Sequence, residues 1–222
     1  MAENKPVLGY WKIRGLAEPI RLLLWHLDVD YEEAYFEQGD APDYSREQWL
    51  AVKDTLGLKF PNLPYFIDGD YKITQTFAIA KYIVRKWRPE FFGVTDHEKE
   101  QAWVMQGVFG DIKSILLGIS YDPDYNQHKK DISVELLKTQ LTYLAGWLND
   151  NQYAAGAHIT FLDFFFFELL DNIEAFEPGL LSSVNEEVYT RYLEHIRTLH
   201  RVREFESRPR MLFNNKIASW NK

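Results

Sequence analysis

Four short stretches of this chain carry residue types that could do chemistry, and each also has a plainer reading. Tyr10 ends a short apolar run near the N-terminus. Its phenol is either a hydrogen-bond donor to a ligand or the ring of a strand tyrosine packed in a core. Gln75 and Thr76 open a helical stretch just after a strand-turn-strand. Backbone N–H groups at a helix start point outward and the helix dipole favours an anion there, although N-capping by Thr74 or Thr76 would need no ligand. Trp49 and Lys53 lie four apart, on one face of a helical turn. An indole N–H and an ammonium can hold a carboxylate together, or merely cover an amphipathic surface turn. Asn62-Leu63-Pro64-Tyr65 puts proline at the head of a strand, where its missing N–H is tolerated and the X-Pro bond can be cis.

The elements that must position these groups follow from pattern and punctuation. Residues 7–10 read as a strand, and Gly15 breaks the chain before a helix over about 16–27, with Pro19 in its first turn. Residues 31–37 read as a second strand, and 39–44 (Gly-Asp-Ala-Pro-Asp-Tyr) as a loop before a short helical piece around 49–53. Residues 64–68 and 71–74 form a hairpin through Asp68-Gly69-Asp70, followed by a helix over 75–87. The order β-α-β-(α)-β-β-α predicts a mixed sheet flanked by helices, thioredoxin-like but without Cys-x-x-Cys. Residues 88–94 carry Pro and Gly and read as a linker. Beyond it the chain reads as helical to about residue 200. Apolar residues recur at Ile132, Leu136, Leu137, Leu141, Leu144 and Leu148 with helical spacing. Residues 160–170 are apolar on nearly every face and predict a buried central helix, opened by a capping box of Thr160 and Asp163. The division is an α/β domain over 1–87, the linker, and an all-α domain over 95–222.

Bulk properties bound the function. The 222 residues suffice for one large domain or two small ones sharing an interface. With 7 Trp, 13 Tyr and 15 Phe, aromatic pockets or interfaces are favoured. Zero cysteines exclude disulfides, thiolate metal sites and a cysteine nucleophile. The six histidines show no metal spacing. A net charge of −8 weighs against nucleic acid or an anionic membrane as main partner, though not against a small anionic ligand. No apolar run approaches the roughly 20 residues of a membrane helix, and residues 1–5 lack the apolar core of a secretory signal. A cytoplasmic location is the expectation.

Together, Gly9-Tyr10-Trp11-x-Ile13-Arg14-Gly15-Leu16-Ala17, Arg46 to Lys53, Asn62 to Tyr65 and Gln75-Thr76 would make a pocket for a small anionic thiol peptide. The set resembles the cytosolic glutathione S-transferases, and the 39–44 loop resembles that of the mu class in particular. The resemblance runs from about residue 7 to 220. It implies a transferase, with glutathione as co-substrate and no other cofactor or metal, that conjugates the glutathione thiolate to hydrophobic electrophiles such as haloaromatics, epoxides and enals.

By the same resemblance, Tyr10 is the thiol-activating residue. Lowering a thiol pKa by about 2 from its usual ~8.5 takes about 2.7 kcal/mol of preference for the anion, within reach of a preorganised hydrogen bond in a dry site. Trp11 and Leu16 belong to the same opening. Gln75 and Thr76 bind the γ-glutamyl end, with Thr76 where Ser is usual and Phe77 where a polar Asn is typical. A cis Leu63-Pro64 bond turns the Leu63 backbone toward the cysteinyl part, with Asn62 beside it. Trp49 and Lys53 take the glycyl carboxylate, assisted by Arg46. Asp111 reaches the glutathione amino group in a neighbouring subunit, Tyr121 serves as general acid, and Phe60 locks a homodimer. Trp11, Ile13, Leu16, Gly110, Tyr121 and the tail near Asn214 would frame the electrophile pocket, roomier or altered because Gly110 and Asn214 are smaller or more polar than the apolar residues usual there. Two other functions fit the scaffold: a non-catalytic binding or structural protein, and a glutathione-dependent isomerase of the prostaglandin synthase kind.

Overall fold

The structure, a computed structural model, describes residues 5–220. Its first half is built on β1 (Val7–Trp11), α1 (Glu18–His26), β2 (Glu32–Phe36), α2 (Glu47–Leu50), β3 (Tyr65–Asp68), β4 (Tyr71–Thr74) and α3 (Thr76–Trp87). The sheet runs β2-β1-β3-β4, with β1 parallel to β2 and antiparallel to β3, and β3 antiparallel to β4. β1 is central, so Leu8, Gly9 and Tyr10 are all buried rather than alternating. The edge strands carry the polar residues: Glu32 on β2 and Lys72 on β4 are exposed. This is the mixed, thioredoxin-like sheet read from the sequence.

The second half is helical: α4 (Asp96–Ser120), α5 (Gln127–Asp150), α6 (Phe161–Phe176), α7 (Leu180–Arg197) and α8 (Val202–Glu206). α6 is the hub, packing against α1, α3, α4 and α7. That position explains its composition: with neighbours on every side, Phe164, Phe165 and Phe166 are all fully buried. Each such ring contributes roughly 2 kcal/mol by leaving water. At its start Asp163 Oδ2 accepts the Thr160 N–H at 2.7 Å, and its other oxygen accepts from Ala154 N and Tyr192 Oη at 2.7 and 3.0 Å. The Asp163 cap therefore also pins the preceding loop and α7.

Four details differ from the sequence reading. The stretch read as a linker folds Pro89–Phe92 into a 3-10 turn, with Phe91 buried beneath it. Ile132 and Leu136 share the helical period of α5 yet are about half exposed, because its core contacts begin at Leu137. One helix among the described residues, α4, is long and apolar enough by composition to cross a membrane. The search for an unbroken apolar run passed over it, since Asp111 and Lys113 interrupt it. In the fold it packs along α5 and α6. Finally, α4 begins with a second capping box that the sequence reading missed, Thr95 with Glu98.

Glu98 holds that end of the molecule together. Its buried carboxylate accepts the backbone N–H groups of Val94 and Thr95 at 3.0 and 3.1 Å, and both the backbone N–H (3.0 Å) and the ring Nδ1 (2.7 Å) of His158. Burial alone would raise its pKa, but the bonds from His158, Thr95 and Val94 outweigh it and hold the carboxyl down at about 2. A depressed folded-state pKa stabilises the fold above the unfolded value near 4.5, and that contribution is lost as pH falls toward 2. It amounts to about 3 kcal/mol. Urea denaturation from pH 6 to pH 2.5 should therefore show Glu98→Gln less stable than wild type at pH 6, with the gap narrowing through the acid range. A constant gap would contradict this assignment.

Candidate active site at the junction of the two halves

β1 delivers Tyr10 to the turn that leads into α1. There the Leu16 N–H donates to the Tyr10 hydroxyl oxygen at 3.0 Å. Gly15 makes the approach possible twice over. Its φ of 45° is left-handed, and a Cβ on it would lie 2.6 Å from that hydroxyl. Tyr10 is 5% exposed, and burial, opposed by the Leu16 N–H and aided by nearby Tyr121, pushes its phenol up to about 12. At neutral pH the phenol keeps its proton. With its oxygen already accepting a bond, Tyr10 is poised to donate.

α3 begins without a side-chain cap. Gln75 occupies the N-cap position with φ 75° and ψ 119°, and neither Thr74 nor Thr76 supplies the capping oxygen. The plainer reading of this helix start is thus corrected: the left-handed Gln75 directs the chain so that the first N–H groups of α3 stay open. Phe77 turns into the helical half, stacked on Phe165 at 4.8 Å and edge-on to Phe109 at 5.4 Å.

On the other side of the sheet edge, Trp49 is buried, stacked on Tyr65 at 6.1 Å and edge-on to Phe36 at 5.4 Å. α2 ends at Leu50, but the Lys53 N–H still donates to Trp49 O at 3.0 Å, so the expected one-turn spacing holds. Lys53 pairs with Asp54 at 3.4 Å, and Arg46 is exposed at the helix start. The Leu63–Pro64 peptide is cis. The Leu63 N–H donates to Asn62 Oδ1 at 2.9 Å, a local contact that the sequence did not suggest.

α4 and α6 close the cleft. Between them and the starts of α1 and α3 lies a cavity of about 320 Å³, whose walls include Gly15, Leu16, Gln75, Thr76, Phe109, Gly110, Leu117 and Phe165. Of the expected pocket residues, Leu16 and Gly110 line it. Trp11 packs edge-on against Phe36, and Tyr121, 37% exposed at the end of α4, accepts the Asn215 N–H at 3.0 Å. Asn214 is turned away and buried, donating to Trp220 O at 3.0 Å. Asp111, next to Gly110, is on the exposed side of α4.

The sequence reading missed what ties this cleft together. Arg14, in the turn after β1, donates to both oxygens of Glu168 at 2.9 and 2.5 Å and to Asp171 at 2.5 Å, all within reach of α6. Phe213 covers the guanidinium face at 3.8 Å. The C-terminal tail is sewn to the same turn: Arg14 N donates to Leu212 O and Gly15 N to Phe213 O, at 2.8 and 3.0 Å. Burial works against the Arg14 charge and pushes the Glu168 carboxyl up, but each charge opposes the other's loss. Lys113, also on the cavity wall, has its ammonium pulled down to about 8 by burial, with Glu168 pulling the other way. Lys113 follows Gly110 by one helical turn, the one sequence signal that would have found it.

The chain is thus a thioredoxin-like sheet joined to a helical body, with a buried phenol and an open helix start at one cleft. Family models described as the glutathione S-transferase N-terminal and C-terminal domains match residues 6–85 and 110–208. A glutathione S-transferase of Dermatophagoides pteronyssinus is 36% identical over 98% of both chains. Glutathione S-transferase Mu 3 of Homo sapiens is 38% identical over 98% of this chain and 96% of its own. Among solved structures, the glutathione S-transferase Blo t 8 superposes with a TM-score of 0.79 at 33% identity, covering 91% of this chain and 92% of its own. The chain belongs to the glutathione S-transferase family, with its sequence likeness to mu-class members, and is a glutathione transferase.

Arg14→Met should be strongly destabilising, because it strands Glu168 and leaves Asp171 with Arg210 alone. The loss expected from denaturant unfolding is about 3–5 kcal/mol. A loss below about 1 kcal/mol, the usual worth of an exposed pair, would mean that the link is not buried in solution.

Proposed function

We propose that the Tyr10 hydroxyl donates a hydrogen bond to the sulfur of bound glutathione and keeps its own proton, stabilising the thiolate that attacks a hydrophobic electrophile. The observation that carries this reading is the Leu16 N–H bond to the Tyr10 oxygen at 3.0 Å, beside the cavity. It orients a phenol whose own proton is left for a ligand. A bond that strengthens as sulfur gains charge favours the anion and, with proximity to the electrophile, accounts for rate.

In this reading the open N–H groups of Gln75 and Thr76 receive the γ-glutamyl carboxylate. The Leu63 backbone, at the cis Pro64, pairs with the cysteinyl part, which requires glutathione to displace the Asn62 side chain from the Leu63 N–H. Trp49 and Lys53, with Arg46 nearby, take the glycyl carboxylate. Trp11 and Leu16 flank the sulfur, and Tyr121 donates to the departing or opening oxygen of the electrophile. The family binds glutathione and hydrophobic substrates and is generally dimeric. Here Phe60, 77% exposed, is the residue proposed to insert into a partner copy, and Asp111 to reach the partner's glutathione. Residues 1–87 then form the glutathione half and 95–222 the electrophile half, in a cytoplasmic homodimer with no nucleic-acid or membrane partner.

Tyr10→Phe should lower kcat for chloronitrobenzene conjugation on the order of 100-fold, the usual cost of one preorganised donor, while glutathione still binds. The thiolate ultraviolet absorbance of the glutathione complex should titrate at higher pH in the variant. Unchanged kcat together with an unchanged titration would defeat the role of Tyr10. For the assembly, Phe60→Ser should shift sedimentation from dimer toward monomer at micromolar protein. Persistence of a dimer of unchanged affinity would remove Phe60 from the interface.

A further inference from the structure

The cavity between the halves holds one charge that the transferase reading does not use. Lys113 lines it while only 6% exposed, and among the described residues its Nζ has neither a hydrogen bond nor an ion pair. The carboxylates around it are already engaged. Arg14 takes both oxygens of Glu168, and Arg14 and Arg210 share Asp171, at 2.5 and 2.8 Å. Arg210 also lies 3.9 Å from Glu206, so of the three cations around these carboxylates Lys113 is the one with no direct partner among the described residues. A buried ammonium without a counter-ion is costly, and a ligand that brings a carboxylate removes the cost.

The rest of the wall decides what kind of carboxylate. Leu16, Phe109, Leu117 and Phe165 present apolar surface, while Thr76 and Ser114 add polar residues to the lining, the Ser114 hydroxyl donating to Asp111 O at 2.8 Å. A space of about 320 Å³ lies at the small end of ordinary ligand sites, the size of a substituted aromatic ring rather than a peptide. Because Gly110 and Ser114 carry little or no side chain, the approach along α4 to Lys113 is open.

Resting on the reading of this cavity as the electrophile pocket, we propose that Lys113 is a specificity residue that pairs with the carboxylate of anionic aromatic electrophiles. Such a substrate lays its ring against the apolar wall and its acid on Lys113. In the substitution the glutathione sulfur forms the C–S bond as the C–Cl bond breaks and chloride leaves.

The test compares 4-chloro-3-nitrobenzoate with its methyl ester as electrophiles for wild type, Lys113→Met and Lys113→Arg. Methionine keeps the length and apolar stem of the lysine, so packing is retained. The ratio of kcat/KM for acid over ester should fall about tenfold in Lys113→Met and stay within about twofold of wild type in Lys113→Arg. An unchanged ratio in Lys113→Met overturns the proposal. So does a fixed ratio with a raised KM for glutathione, which would assign the lysine to the tripeptide. Calorimetric binding of unreactive 3-nitrobenzoate separates this inference from the transferase roles. Binding that weakens about tenfold in Lys113→Met supports Lys113 even if Tyr10 has been misassigned, and equal binding to both proteins counts against it.

Discussion

Everything at this site depends on the buried guanidinium of Arg14. It sits in the turn between β1 and α1, and its partners Glu168 and Asp171 belong to α6 of the other half. Burying three charges is favourable only when their geometry is well satisfied, and an unsatisfied version is strongly unfavourable. The link therefore behaves as a register pin between two layers that hydrophobic contact alone would let slide. The same turn carries Gly15 and Leu16, which aim the Tyr10 hydroxyl, and it receives the tail through the Leu212 and Phe213 carbonyls. Fixing Arg14 thus fixes the donor, the cavity wall and the C-terminal cover at once.

The protonation states of the site follow from depth. Tyr10 and Lys113 are both taken out of water, and burial disfavours the charged form of each. For a phenol this means a proton retained, ready for donation. For an ammonium it means a charge held at a cost, which a complementary ligand relieves. Opposite consequences from one cause give the cleft its division of labour, a neutral donor near the turn and a cationic spot on the wall of α4. The open start of α3 adds a third element, an oriented dipole that does not titrate.

The order of elements, the mixed sheet and the buried central helix were legible in the sequence because each depends on local pattern. A Gly-Tyr-Trp strand, a hairpin through Asp68-Gly69-Asp70 and an all-apolar run from Phe164 to Phe167 need no tertiary information. What was not legible depends on pairs far apart in the chain. Arg14 and Glu168 are 154 residues apart, and nothing in either neighbourhood marks them as partners. Lys113 carries no mark of its own in the sequence, since whether a helical lysine faces water or a cleft is decided by packing. Asn214 went the other way: placed on the pocket wall by resemblance, it is instead taken up by the Trp220 carbonyl. The cap of α3 failed as a reading for a backbone reason, the left-handed Gln75, which side-chain propensities do not encode.

Two positions of the cleft are connected by volume. The Phe77 ring stacks on Phe165 and meets Phe109 and Phe161 edge-on at 5.4 and 6.4 Å. It fills the interface of α3 with α6, where the rings of α6 supply a matching apolar surface, and it also lines the cavity. Opposite, Gly110 leaves open space where a side chain would stand. A ring at Phe77 and no side chain at Gly110 leave the cavity open toward α4, where Lys113 lines it. Interiors are packed densely enough that such differences are felt locally, so a ring at one wall shapes what the other can accept. The shape of this cavity is therefore set by how α4 and α6 share space with the start of α3.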